Sequence, residues 1–167
     1  EDCRLREDGS VEHKKSGRTV SAIMVVHVQG HMCDIERLLT ISRRYELPLI
    51  EDAAEALGAR FNGKLAGTFG EIGCFSFNGN KIITTGGGGV IITNKKRIAE
   101  KISHLVSNAK IPHPWEYIHR GLGFNYRMPN LNAALGVAQF EKLKTVINVK
   151  KKIYGRYKKI FKNIHAL

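Results

Sequence analysis

Lys81 has the setting in which a lysine does covalent chemistry. It stands after the run Cys74-Phe75-Ser76-Phe77-Asn78-Gly79-Asn80 and before Ile82-Ile83-Thr84-Thr85 and four consecutive glycines, Gly86 to Gly89. A second signal lies upstream. Pro48-Leu49-Ile50-Glu51-Asp52 is an apolar strand pattern ending in two carboxylates. A lysine held in a tight turn and an aspartate at a neighbouring strand end are what pyridoxal phosphate (PLP) chemistry needs. The amine forms a Schiff base with the cofactor aldehyde, and the carboxylate keeps the pyridine nitrogen protonated so that the ring acts as an electron sink.

The elements that must position these residues follow from the hydrophobic pattern. Residues 1–21 are polar, with Gly9 and Gly17 as breakers, and read as a loop or hairpin. The nearly continuous apolar run Ala22 to Val28 suits a strand buried on both faces of a parallel sheet. Gln29-Gly30-His31 turns out of it, Asp34 caps a helix, and Ile35, Leu38, Leu39, Ser42 and Tyr45 share one helical face. Pro48 and Leu49-Ile50 complete a βαβ unit, which predicts adjacent parallel strands. Ala53 to Gly70 is glycine-rich, with a turn at Arg60 to Lys64. Gly73 to Phe77 and Gly88 to Thr93 read as strands joined by the lysine turn. Asn94 caps a helix with the apolar face Ile98, Ile102, Leu105 and Val106. Lys110 to Met128 is a long loop, and loops of that length in a compact domain are usually functional. Pro129 opens a long helix, with a bend expected near Thr145.

Composition is that of a globular chain: 43% hydrophobic and 25% charged residues over 167 positions. No run is apolar and long enough to span a bilayer, and no secretory signal is visible. Cys3, Cys33 and Cys74 form no CxxC pair, which argues for a reducing, cytoplasmic setting and against zinc. His27 and His31 straddle a strand end rather than one helix face, so no metal site is expected. The net charge of +12 is concentrated at the end of the chain. Nine Lys or Arg from Lys142 to Lys162 face the single acid Glu141. No RNA-binding motif or finger spacing accompanies them, so a solvated face, or one awaiting an acidic partner region, is favoured over nucleic-acid binding. The four glycines lack the GK[ST] ending of a phosphate loop. Close backbone approach is their expected use.

The motifs in order are His27-Val28-Gln29-Gly30, Glu51-Asp52-Ala53-Ala54-Glu55-Ala56-Leu57-Gly58, Gly70 to Phe77, Asn80-Lys81, the glycine run, and Gly123-Phe124-Asn125-Tyr126-Arg127-Met128. This set resembles the DegT-type sugar-nucleotide aminotransferases, PLP enzymes of the aspartate aminotransferase-like fold, from about Ala22 to about Leu143. The opening segment looks like the subgroup that aminates 4-keto sugar nucleotides. The resemblance implies an α/β fold: part of the fold type I large domain, a mixed and mostly parallel sheet flanked by helices, followed by a long C-terminal helix. It implies Lys81 as the Schiff-base lysine and proton shuttle, against an ordinary surface lysine. Asp52 is implied as the pyridinium partner, a role compatible with capping a helix. Ser76 is implied as a phosphate ligand, against a strand serine bonded to backbone. Glu55 stands where the family often has glutamine or histidine near the cofactor's 3′-oxygen, a departure. Asn125 resembles an asparagine that reaches the cofactor phosphate of a partner subunit, against a turn residue beside Gly123.

The implied activity is transfer of an amino group, from glutamate, to a keto sugar nucleotide in amino-sugar or surface-polysaccharide biosynthesis, by a homodimer with a shared site. A related dehydratase group replaces the lysine with histidine, so Lys81 favours transamination. Family members are more than twice as long. The expected division is therefore a partial large domain over 1–143 and a connecting basic helix over 144–167, leading towards an absent small domain. An internal fragment of this kind is expected to bind PLP weakly and to be a sticky oligomer. The alternative reading is a truncated, inactive chain acting as a dimerisation or interaction module.

Overall fold

A computed structural model describes residues 2–162. These residues divide into two compact units, 2–76 with 89–127, and 77–88 with 128–162.

The first unit opens with an antiparallel meander, β1 (Cys3–Leu5), β2 (Val11–His13) and β3 (Thr19–Val20). It has one strand more than a hairpin. Glu12 is buried on its middle strand between the guanidinium groups of Arg4, at 2.9 Å, and Arg6. The Arg6 hydrogen bond, then that of Arg4, holds its carboxyl below the ordinary carboxylate range.

The principal sheet has the order β4 (Ile23–Val26), β5 (Leu49–Asp52), β8 (Ile72–Ser76) and β9 (Gly89–Ile92). The short hairpin β6 (Arg60–Phe61) and β7 (Lys64–Leu65) lies between β5 and β8 in sequence. β4, β5 and β8 are parallel and β9 is antiparallel, so the expected mixed, mostly parallel α/β sheet is present. The β4–β5 register pairs Ile23 with Leu49 and Val26 with Asp52. The crossover is α1 (Ile35–Arg44), capped by Asp34, whose carboxylate accepts from the Arg37 N–H at 3.2 Å. Ile35 and Leu49 are buried where α1 meets β5. A small core of Ala53, Ala56 and Ala66, with Met32, Ala59 and Phe75 against it, fills the space under the segment after β5. The β6–β7 turn is Asn62-Gly63, both at positive φ, as a two-residue hairpin of that twist requires.

Three expectations need correction. β4 is not buried on both faces: Met24 is 63% and Val26 49% exposed, because β4 is an outer strand and its side chains alternate. Helix α2 (Lys96–Val106) has Lys95, not Asn94, at its N-cap, and no side chain caps it there. The Thr93 hydroxyl accepts from the Lys95 N–H instead, at 3.1 Å. In the second unit the long helix is two, α3 (Asn130–Glu141) and α4 (Leu143–Ile160). The break falls at Lys142 rather than near Thr145, and Pro129 precedes the first helical residue. Among the described residues no helix is long and apolar enough to cross a membrane.

Gly73 sits where β8 passes the Gly67 main chain, and a Cβ there would overlap the Gly67 carbonyl. Backbone cannot swing aside as a flexible side chain does. Gly73→Ala is therefore expected to cost about 2 kcal/mol, in the middle of the range for overpacking. A lowered midpoint in urea, with an unchanged slope, checks this.

Candidate active site

In the first unit, β5 and β8 end side by side at the carboxyl edge of the parallel strands, where open α/β sheets bind ligands. Asp52 pairs in register with Cys74, and Ser76 lies two residues further along β8. The side chains of Asp52 and Ser76 thus leave the same face of the sheet. Asp52 is half-buried. Its Oδ1 accepts from the Ala54 N–H at 3.0 Å in an Asx-type turn, and no helix follows for it to cap, while Oδ2 takes no hydrogen bond among the described residues. Ser76 is half-buried at the strand end. Glu55 is exposed, and its carboxylate accepts from the Gln29 N–H at 2.6 Å, holding the turn Val28–Gly30 in which Gln29 has φ 55°. Asn125 is exposed as well, and its backbone bridges Ser107 at the end of α2.

The sequence reading missed Glu51. It is fully buried, and its two oxygens collect three backbone donors: Gly67 N–H at 2.8 Å, and Phe69 and Gly70 N–H at 2.6 Å each. The His27 Nε2, also fully buried, lies 3.1 Å from Oε2. A carboxylate surrounded by N–H donors only accepts, so the His27 proton sits on Nε2 and that nitrogen donates. His27 Nδ1 is then the one left without a hydrogen-bond partner. The available signal was a carboxylate inside an apolar strand, which burial makes costly unless donors surround it.

Charge at this edge is felt by the neighbouring thiol. Burial first, and the Asp52 carboxylate second, push the Cys74 thiol up, away from the thiolate. Burial, with Glu51 and Asp34 adding to it, does the same for Cys33. Cys3 is exposed. In a short iodoacetamide pulse read by mass spectrometry, Cys3 is expected to label first. In Asp52→Asn, Cys74 is expected to label roughly two- to five-fold faster, as a nearby unit charge of ~1 kcal/mol would dictate, while Cys33 keeps its rate.

In the second unit, Phe77 to Gly88 forms the lysine turn. Lys81 is half-buried, and its N–H donates to the Asn78 carbonyl at 3.1 Å. The base of the turn is closed by Phe77 N–H to Gly88 O at 2.9 Å and Thr85 N–H to Phe77 O at 3.0 Å. The Thr84 hydroxyl donates to Phe77 O at 3.0 Å and accepts from the Gly86 N–H. Thr85 is buried, and helix α3 grips it. Asn132 Nδ2 donates to its carbonyl at 2.6 Å, and Gly136 leaves room for its methyl, which a Cβ would meet at 2.9 Å. Of the glycine run, only Gly89 passes close to backbone, at the Phe75 carbonyl; Gly86 and Gly88 take positive φ, and Gly87 has open space where a Cβ would stand.

Taken one by one, these residues have the chemistry that PLP requires. An aspartate with one oxygen tied and one unpartnered suits a protonated ring nitrogen. A hydroxyl at a strand end suits a phosphate, and a primary amine on a braced turn suits an aldehyde. No group of three or more His, Cys, Asp or Glu that could hold a metal occurs among the described residues.

Comparison with known proteins agrees. The profile described as the DegT/DnrJ/EryC1/StrS aminotransferase family matches residues 7–167. A GDP-perosamine synthase of Escherichia coli O157:H7 is 43% identical over 157 residues, 94% of this chain and 42% of that protein. A GDP-perosamine synthase of Caulobacter vibrioides is 44% identical over 136 residues, 81% of this chain and 36% of that protein. The structure of Helicobacter pylori PseC, an aminotransferase involved in the biosynthesis of pseudoaminic acid, superposes with a TM-score of 0.83 at 26% identity. It covers 91% of this chain and 40% of that one. The chain thus spans about two fifths of the length of the relatives it matches. Matched over residues 7–167 by the family profile, this chain belongs to the DegT/DnrJ/EryC1/StrS aminotransferase family, a family of PLP-dependent aminotransferases.

Proposed function

We propose that this chain carries cofactor-binding residues of a PLP-dependent aminotransferase that moves an amino group from glutamate to a keto sugar nucleotide, for amino-sugar or surface-polysaccharide biosynthesis. The observation that carries the reading is the braced turn presenting Lys81, in a chain whose β5 ends in a half-buried Asp52 with one open oxygen. The GDP-perosamine synthases among its relatives favour a GDP-linked sugar.

When bound, PLP supplies an aldehyde that takes amines covalently and a ring that accepts the electron pair released at the substrate carbon. Lys81 Nζ would hold the aldehyde, and the same amine would carry a proton to and from the substrate carbon. The Asp52 carboxylate keeps the proton on the ring nitrogen, since an adjacent anion favours the charged form. The Ser76 hydroxyl would donate to the phosphate. Glu55 accepts from the Gln29 N–H, holds the turn after β4, and would stand near the cofactor's 3′-oxygen. Asn125 would reach the phosphate held by a second copy, which would make the working form a homodimer.

The test is to add PLP and then glutamate to the protein. The visible cofactor band should fade as 2-oxoglutarate forms, and return when a GDP-linked keto hexose is added. An interaction-module reading draws on the exposed apolar residues Ile153, Tyr154, Tyr157 and Ile160 among the lysines of α4. A folded chain that binds no PLP at any concentration would favour it.

A further inference from the structure

We infer that Glu51 is a positioning residue for Asp52: its buried carboxylate locks, through His27 and the loop 67–70, both main-chain tethers between which Asp52 is held. The inference rests on the reading of Asp52 as the partner of the ring nitrogen.

The two tethers are explicit. On one side the His27 N–H donates to the Asp52 carbonyl at 3.0 Å. On the other, the Ala53 N–H donates to the Cys74 carbonyl at 2.8 Å. The first tether belongs to a residue whose ring is pinned by Glu51 Oε2. The second belongs to β8, which the loop Gly67 to Gly70 feeds directly, and all three of that loop's free amide donors end on the Glu51 carboxylate. Glu71 N–H to Leu49 O at 2.8 Å continues the same seam. Two segments that reach this edge from distant parts of the sequence, at His27 and at the loop 67–70, thus share one acceptor. Strand alternation does the rest. Glu51 points into the protein and Asp52, the next residue, points to the half-exposed face, with its Oδ1 aimed by the Ala54 N–H. Holding a reacting group within a fraction of an ångström requires support of this kind from outside the site.

Glu51→Gln keeps the shape and removes one acceptor oxygen. The amide oxygen still serves two donors. The amide NH2 can turn His27 to its other tautomer but then faces the Gly67 N–H, leaving that donor and the partnerless His27 Nδ1–H both orphaned. Amide exchange by NMR reads the consequence. In Glu51→Gln the Ala53 and Ala54 amides are expected to exchange at least about ten-fold faster, while Ala99 and Ile102 in α2 stay within about two-fold of wild type. Unchanged Ala53 and Ala54 protection, with only Gly67, Phe69 and Gly70 exposed, would overturn the inference. So would a uniform rise across the unit, which a merely structural role predicts. Should that variant not fold, native-state exchange of the wild-type chain in low denaturant decides. Ala53 and Ala54 opening together with Gly67, Phe69 and Gly70 supports the tether, and their staying closed through the loop's opening overturns it. Adding PLP to the wild type tests the Asp52 reading separately. A still Ala54 resonance counts against that reading and leaves the exchange result standing.

Discussion

Lys81→Ala is expected to abolish covalent capture of PLP. With wild-type protein and saturating PLP, borohydride should fix the cofactor to the peptide spanning Phe77 to Gly88, the turn that Thr84, Thr85 and Asn132 brace. With alanine at position 81 the visible band and the mass increment on that peptide should both vanish, because no other primary amine is placed in that turn. Amino transfer should fall by about 10³-fold or more, since one substitution removes both the covalent hold and the proton carrier. Lys81→Arg is the informative companion. It keeps the charge, whereas a guanidinium does not form the bond, so trapping should be lost there too. Capture that persists in either variant, mapped to another lysine, would place the chemistry elsewhere. Capture should also be sensitive to the turn's closure. Asn132→Ala removes the donor to the buried Thr85 carbonyl and should slow trapping without preventing it.

The second large effect concerns stability. Glu51→Leu leaves the Gly67, Phe69 and Gly70 amides and the His27 Nε2–H without an acceptor around a fully buried position. Leucine fills the volume but cannot answer four donors, and orphaned donors carry their full desolvation cost. The expected loss is about 3–5 kcal/mol, comparable to breaking a buried pair from one side. That corresponds to a fall in melting temperature of about 10 °C. Thermal unfolding followed by circular dichroism measures it. A fall of only a degree or two would mean that water reaches these groups. Asp52→Asn at the next position is expected to leave the melting temperature nearly unchanged, because its Oδ1 still accepts from Ala54 and its other oxygen has no partner to lose. Adjacent carboxylates with opposite consequences, one for stability and one for chemistry, are what the strand's alternation produces.

Much of this protein was legible in the order of its residues. The βαβ unit, the parallel pairing of Ile23–Val26 with Leu49–Asp52, and the Asp34 cap follow from local pattern: apolar runs of strand length, a helical period between them, and a short polar residue before the first turn. The lysine between an apolar strand and a glycine run, with the Glu51-Asp52 pair upstream, pointed to the cofactor, and the whole set of motifs in order pointed to the family. Such motifs are set by chemistry at one atom and survive as short strings. Tertiary structure alone decided which of the two carboxylates is consumed by the fold. Both lie at the end of one apolar strand, and only the loop Gly67 to Gly70, arriving sixteen residues later with three amide donors, makes Glu51 the buried one. Burial on one face of β4 rather than two was likewise outside local reach, since it depends on that strand's place at the side of the sheet. So was the break at Lys142, because a heavily basic, continuous helical pattern carries no proline or glycine there to announce it. Spacing along the chain specifies which groups are available. The non-local hydrogen bonds that satisfy buried donors specify which of them remain free to react.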